Sequence, residues 1–216
     1  MNDAIEHSLA TWRKWHDRGY FPRMAQHKDW RVYDEIEPCF LVPMAPTEHD
    51  DALEIGCGYG QRMIPLARLV SLVRGFDVSE SLMLKAYEKF REHGVADRCM
   101  MIVGDGRSIP FPDASFSLVY SISVFQHMPR ALVALYMRET ARVLRPGGRA
   151  LFHFRNANTA AGPVSRDIVA GQTSGWSVGW TVDEAVVAAN ISGLETYYTW
   201  TDSPDSIVTM ARRRGD

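Results

Sequence analysis

Apolar and polar positions alternate in two rhythms along most of this chain. Short apolar runs at 51–55, 72–77, 99–103, 116–122 and 150–154 read as buried strands. Between them the apolar residues recur every three to four positions. The helix expected over 79–93 places Leu82, Met83, Ala86, Tyr87 and Phe90 on one face, and Gly94 stops it. A second amphipathic helix is expected over 130–144, ended by Arg145-Pro146-Gly147-Gly148, where Pro146-Gly147 suits the centre of a type II turn. A third helix is expected over 61–70, with Pro65 tolerated near its start. Strands alternating with helices predict an α/β fold: a parallel sheet covered on both faces.

The two ends of the chain depart from this rhythm. Ile5, Leu9, Trp12 and Trp15 or His16 recur at helical spacing until Arg18-Gly19, and a short helix is expected from Trp30 to about Leu41, interrupted by Pro38 and Pro43. Residues 1–45 thus read as an aromatic-rich helical extension, either packed on the core or closing as a lid over a ligand site. Residues 46–216 read as the main domain. Within it, 155–180 is rich in Gly, Ser and Asn and long for a structureless connection, so it is expected to be a loop on the substrate side. A helix over 181–192 follows, with Asp183 and Glu184 at its positive end. Then 194–201 and 206–212 form a hairpin across a short turn at 202–205.

Composition excludes several classes. The 216 residues suit one domain with an appendage, and 46% hydrophobic with 23% charged residues is an ordinary globular mix. A net charge of −2 provides no basic field for a nucleic-acid backbone or an anionic membrane. No apolar run approaches the roughly 20 residues that span a bilayer. Cys39, Cys57 and Cys99 are isolated, so neither a disulfide framework nor a zinc ribbon is expected. The histidines show no paired metal-ligand spacing, so no metal is expected. The start, MNDAIEHSLATW, lacks the basic and apolar regions of a signal peptide, which makes a cytoplasmic location the expectation.

The candidate chemistry sits where strands end. Glu54 is followed by Gly56, Gly58 and Gly60 in LEIGCGYG, a loop between a strand and a helix that lets a ligand approach backbone. The GxGxG spacing is neither the GxGxxG of dinucleotide sites nor a P-loop. Asp77 ends the second strand, where a carboxylate can bind two ribose hydroxyls or serve only as the acid ahead of a helix. Asp105 ends the third, where it can read an exocyclic amine or simply close a turn, and Gly106 lets a ring approach. Three acids ending three successive strands mark the carboxyl edge of the sheet as the ligand face.

These segments resemble the class I S-adenosylmethionine-dependent methyltransferases, and most nearly the bacterial group acting on small molecules. LEIGCGYG, FDVSESLM (76–83), GDGRSIPFPDASFSLVYSISVFQHM (104–128) and RVLRPGGRALF (142–152) resemble the family's successive motifs. The resemblance covers about residues 50–212. It implies a single Rossmann-like domain with a seven-stranded, mostly parallel sheet, one antiparallel strand near the C-terminus, helices on both faces and an N-terminal helical lid. The implied cofactor is S-adenosylmethionine. Gly56 and Gly58 would contact its methionine part through backbone, with Glu54 orienting the loop. Asp77 would bind the ribose, Val78 would pack on adenine, Asp105 and Gly106 would read the adenine edge, and the Ser121 carbonyl would meet the ammonium. Gly106 departs from the more usual alanine.

The implied reaction is in-line transfer of a methyl to an oxygen or nitrogen nucleophile of a small-molecule acceptor. A neutral hydroxyl would need a base, and His127 is the candidate, unless it is only a packed or capping residue beside the pocket, with His153 second; His7, His16 and His27 on the extension read as surface or packing residues or as lining a lid. The competing readings are an RNA or protein methyltransferase, a nicotinamide-dependent oxidoreductase and an inactive binder of the same fold. The acidic balance, the glycine spacing and the intact cofactor acids count against them in turn. A monomer and a homodimer are both compatible with the sequence.

Overall fold

The computed structural model describes residues 2–17, 40, 42–159, 165, 167, 177–201 and 203–215. One sheet organises them. Its strands are β1 (Asp51–Ile55), β2 (Leu72–Asp77), β3 (Cys99–Val103), β4 (Phe116–Ser121), β5 (Leu144–Asn156), β6 (Gly179–Trp180), β7 (Leu194–Trp200) and β8 (Ser206–Arg213). The order is β3-β2-β1-β4-β5-β8-β7, with the two-residue β6 beside β5. The pairs among β1 to β6 are parallel, and β8 runs antiparallel to both β5 and β7. This is the expected α/β sheet with its single reversed strand, plus one short strand inside the segment expected to be loop.

Both faces are buried because alternate residues point to opposite sides. Leu53, Ile55 and Val119 pack beneath α4 (Arg130–Val143), α5 (Val182–Ile191) and Ile5 and Leu9 of α1 (Asn2–Asp17). Ala52, Leu118 and Tyr120 face α2 (Met63–Leu66), α3 (Glu80–Glu92), Phe40 and Met44. The N-terminal helix is thus built into the core at Ile5 and Leu9. Of the rest of the extension, the second helix expected over 30–41, apart from Phe40, with Tyr20, Phe21, His27, Trp30 and Tyr33, and the side chains of Trp15 and His16 lie outside the described residues.

Two expectations on element length are corrected. The helix expected over 61–70 is only Met63–Leu66. Pro65 has no N–H, and the chain beyond it tightens into short turns, with Arg68 N–H donating to Pro65 O and Leu69 N–H to Leu66 O. The expected stop at 145–148 lies inside β5. The β4–β5 ladder jumps from Phe116 opposite Leu144 to Leu118 opposite Arg149, leaving 145–148 as an outward turn with Gly147 at φ 75°, as a type II turn needs. The start of α5 is a capping box: the Thr181 hydroxyl accepts from Glu184 N–H at 3.2 Å, and the Glu184 carboxylate accepts from Thr181 N–H at 2.8 Å.

Candidate active site

The order β3-β2-β1-β4 reverses direction between β1 and β4, and the cavity lies there, past the carboxyl ends of the strands. It has a volume of about 370 Å³, within the range of small-molecule sites.

The glycine loop forms one wall. It leaves β1 with Gly56 and Cys57 N–H both donating to the Phe76 carbonyl, at 3.0 and 3.2 Å. Gly56 has φ 69°, and a Cβ there would lie 2.7 Å from Val124. At Gly58, with φ 54°, a Cβ would meet nothing within 4 Å, so the space beside this backbone is open. Asp77 ties the loop to β2: one carboxylate oxygen accepts from Gly58 N–H at 3.0 Å, the other from Ser79 N–H at 3.1 Å. Gly56, Gly58, Asp77 and Val78 all line the cavity.

Helix α1 forms the opposite wall with Ser8, Leu9 and Trp12. The Ser8 hydroxyl and the Trp12 indole N–H both donate to the His127 carbonyl at 3.3 Å, and the Trp12 and His127 rings lie 4.9 Å apart. The His127 ring lines the cavity, with its Nε2 3.0 Å from the Gln126 amide nitrogen. With that amide as donor, the ring proton sits on Nδ1.

The other expected residues lie elsewhere. Glu54 is buried and absent from the cavity wall, accepting from the Tyr120 hydroxyl at 3.1 Å. Burial, and then Glu54, push that hydroxyl well above its ordinary pKa, so it remains a donor. Ser121 is fully buried, its hydroxyl on Ile55 O at 3.2 Å, and also absent from the wall. Asp105 closes a turn, accepting from Arg107 and Ser108 N–H at 2.7 and 2.9 Å. At Gly106, with φ 82°, a Cβ would lie 2.3 Å from Leu9 and 2.9 Å from Val78, so the space above it holds Leu9. Asp105 and Gly106 therefore stand one layer outside the wall. His153, the second base candidate, is also outside it: its Nδ1 accepts from Ser123 N–H at 3.1 Å.

Sequence reasoning missed several wall residues. Ser123 has φ 61°, a conformation uncommon outside glycine, and nothing in its sequence context signals it. Tyr59 lines the cavity with its hydroxyl buried and without a hydrogen-bond partner among the described residues, and burial raises its pKa to about 12. Cys57 also lines the cavity, but burial and the nearby Asp77 and Glu54 keep it a thiol. Most of the loop expected over 155–180 lies outside the described residues. Its described end reaches this site, with Val178 N–H donating to Gln126 O at 2.7 Å.

Three carboxyls around this frame have lowered pKa values. Burial alone would raise Asp50, but the Ser117 hydroxyl, the Thr47 amide and hydroxyl and Arg149 outweigh it. Burial likewise opposes the amides of Arg107 and Ser108 at Asp105, and the amides win. At Glu139 the Arg142 hydrogen bonds lead. A carboxyl with a depressed folded pKa stabilises the protein above its unfolded value, 3.8 for Asp and 4.5 for Glu, and loses that contribution as pH falls through the folded value. The melting temperature is therefore expected to fall steadily from about pH 5 downward, and Glu139→Gln to flatten part of that slope. Calorimetric scans across this range check it.

The arrangement fits an adenosyl ligand carrying an amino acid. It has an open glycine backbone, a carboxylate at the end of β2, an apolar wall at Val78 and Leu9 and a buried phenol with no partner among the described residues. Comparisons with known proteins point the same way. Residues 52–148 match the family model described as a methyltransferase domain. The chain is 37% identical over 111 residues to the 27-O-demethylrifamycin SV methyltransferase of Amycolatopsis mediterranei, covering 50% of this chain and 40% of that protein. It is 31% identical over 107 residues to a sterol 4-C-methyltransferase of Caenorhabditis elegans, covering 50% of this chain and 31% of that protein. The chain thus spans less than half the length of either relative. An S-adenosylmethionine-dependent methyltransferase of Methanosarcina mazei shares the fold, with a TM-score of 0.68 at 20% identity over 82% of this chain and 98% of that one. The matched segment holds the glycine loop, Asp77, Asp105 and His127, and over residues 52–148 the chain is similar to the class I S-adenosylmethionine-dependent methyltransferases.

Proposed function

We propose that this chain transfers a methyl group from S-adenosylmethionine to an oxygen or nitrogen nucleophile of a small-molecule acceptor. The observation that carries the reading is one cavity enclosed by the glycine loop, Asp77, His127 and α1. The cofactor supplies a methyl on a sulfonium, already activated for in-line displacement. The chain's own work is then binding, alignment and exclusion of water. Gly56 and Gly58 hold the amino-acid end through backbone, with Glu54 and Tyr120 bracing the loop from behind. Asp77 holds the ribose hydroxyls, Val78 packs on the adenine, and Asp105 and Gly106 support its edge. His127 receives a proton from a hydroxyl acceptor at Nε2, where the Gln126 amide now donates.

In this reading α1 and the segment over 155–180 shape the acceptor side, and the protein works as a monomer or homodimer on a soluble, non-nucleic-acid substrate. Support for a small acceptor comes from the near-neutral charge and from the relative named for a rifamycin. The test is thermal unfolding with S-adenosylmethionine, S-adenosylhomocysteine and NADH at equal concentration. A ligand at 100 times its dissociation constant adds about 2.7 kcal/mol, a shift of about 5–10 °C for this size. Shifts with both adenosyl ligands and none with NADH are expected, followed by an acceptor screen read by product mass. A shift with NADH alone overturns the cofactor assignment.

A further inference from the structure

Arg142 lies on α4, outside the cavity wall, yet all five of its N–H donors are engaged. Nε and one Nη2 hydrogen go to the two oxygens of Glu139, at 2.9 and 2.7 Å. The others go to Phe111 O at 2.9 Å, Asp113 Oδ1 at 2.7 Å and Ile109 O at 3.0 Å. Glu139 in turn accepts from Ile109 N–H at 3.1 Å. A guanidinium and a carboxylate one turn apart on a helix thus grip three residues of the β3–β4 connection.

That connection begins at the Asp105 turn, whose carboxylate bonds the amides of Arg107 and Ser108 and leads directly into Ile109. It also carries α1. Leu9 rests on Gly106, Arg13 donates to Asp105 O at 3.2 Å, and Glu6 pairs with Arg107. Leu9 and Val78, both against Gly106, are cavity wall. The path from Arg142 to the cavity therefore runs through one short loop.

We propose that Arg142, with Glu139, is a positioning residue for the cofactor: from outside the cavity it fixes the loop that sets Gly106 against Val78 and Leu9. The proposal rests on the methyltransferase reading above. A second arginine supplies the control. Arg149, about equally exposed, makes a comparable set of bonds to Met44 O, Ala45 O and both oxygens of Asp50, none of them in the β3–β4 connection. If Arg142 acts only through general stability, the two arginines are equivalent in a binding assay.

The experiment titrates S-adenosylhomocysteine into the parent, Arg142→Met and Arg149→Met by calorimetry, with the melting temperature of each ligand-free protein measured alongside. Both variants should melt lower than the parent. Arg142→Met should bind at least fivefold more weakly, and Arg149→Met within twofold of the parent. Glu139→Gln keeps an acceptor for Ile109 N–H but loses the charged fork, so it should show a smaller loss in the same direction; it decides the matter if Arg142→Met does not fold. Affinity unchanged in Arg142→Met, or in Glu139→Gln where that variant decides, overturns the proposal, as does an equal loss in both arginine variants. A parent that binds no S-adenosylhomocysteine removes the cofactor reading instead, and this proposal with it.

Discussion

Asp77→Ala is expected to weaken S-adenosylhomocysteine binding by more than tenfold. The argument starts from the two hydrogen bonds that this carboxylate makes in the protein itself. One holds Gly58 N–H and the other Ser79 N–H. Removing the carboxylate strands two backbone donors beside a cavity, and a buried donor left unsatisfied costs about 1–3 kcal/mol. Gly58 has open space beside it, so water relieves part of that cost, and the lower end of the range applies there. The loop then loses the tie that sets its distance from β2. The ligand loses both that preorganisation and the acceptor for its ribose hydroxyls. Tenfold in affinity is only about 1.4 kcal/mol, less than either loss alone at mid-range. Asp77→Asn separates the contributions. Its single carbonyl can serve one of the two amides, while its NH₂ faces the other, so binding should fall but less than in Asp77→Ala. Isothermal titration of both variants is the measurement, and an affinity equal to the parent's in Asp77→Ala would remove Asp77 from the site.

The glycine loop and Asp77 were legible in the sequence because their signals are local. A strand ending in an acid and then GxGxG can be read from eight consecutive residues, and the alternation of strand and helix predicts the sheet to which they belong. The reversed β8 was legible for the same reason, since a short turn joins it to β7. The helix expected over 61–70 is cut short by a local effect: Pro65 lies in the third position of a short helix, and the turns after it tighten. What could not be read was placement across the chain. Gly106 differs from the family's usual alanine, and its neighbour is Leu9, 97 positions earlier, which no spacing rule connects. His153 was expected at the end of a strand near the cavity, but β5 continues to Asn156 and its acceptor nitrogen is engaged by the backbone of Ser123. The Arg142 fork was likewise invisible, because two of its acceptors are backbone carbonyls, which carry no sequence identity, and Asp113 lies 29 positions away.

Deleting residues 1–17 is expected to leave the sheet folded, to lower the melting temperature by about 10 °C and to speed S-adenosylhomocysteine dissociation at least tenfold. The first two effects follow from burial. Ile5 and Leu9 are 8% and 4% exposed in the core, and burying such a side chain is worth about 1.5–3 kcal/mol. At this chain length each kcal/mol moves the midpoint by about 2–4 °C, and the sheet's own ladders do not include α1. The third effect does not follow from burial. It follows from Ser8, Leu9 and Trp12 being cavity wall and from two donors of α1 meeting the carbonyl of His127. Gly106→Ala tests the same closure without deletion. Its methyl would lie 2.3 Å from Leu9 and 2.9 Å from Val78 on backbone already at φ 82°, so α1 must lift or the loop must shift. If α1 closes the site, this one methyl raises the dissociation rate in the same direction as the deletion. If α1 is only a packed helix, both changes lower the melting temperature and the dissociation rate remains that of the parent. Stopped-flow displacement of bound S-adenosylhomocysteine separates the two, because a rate of escape depends on the wall that must open, and a melting temperature does not.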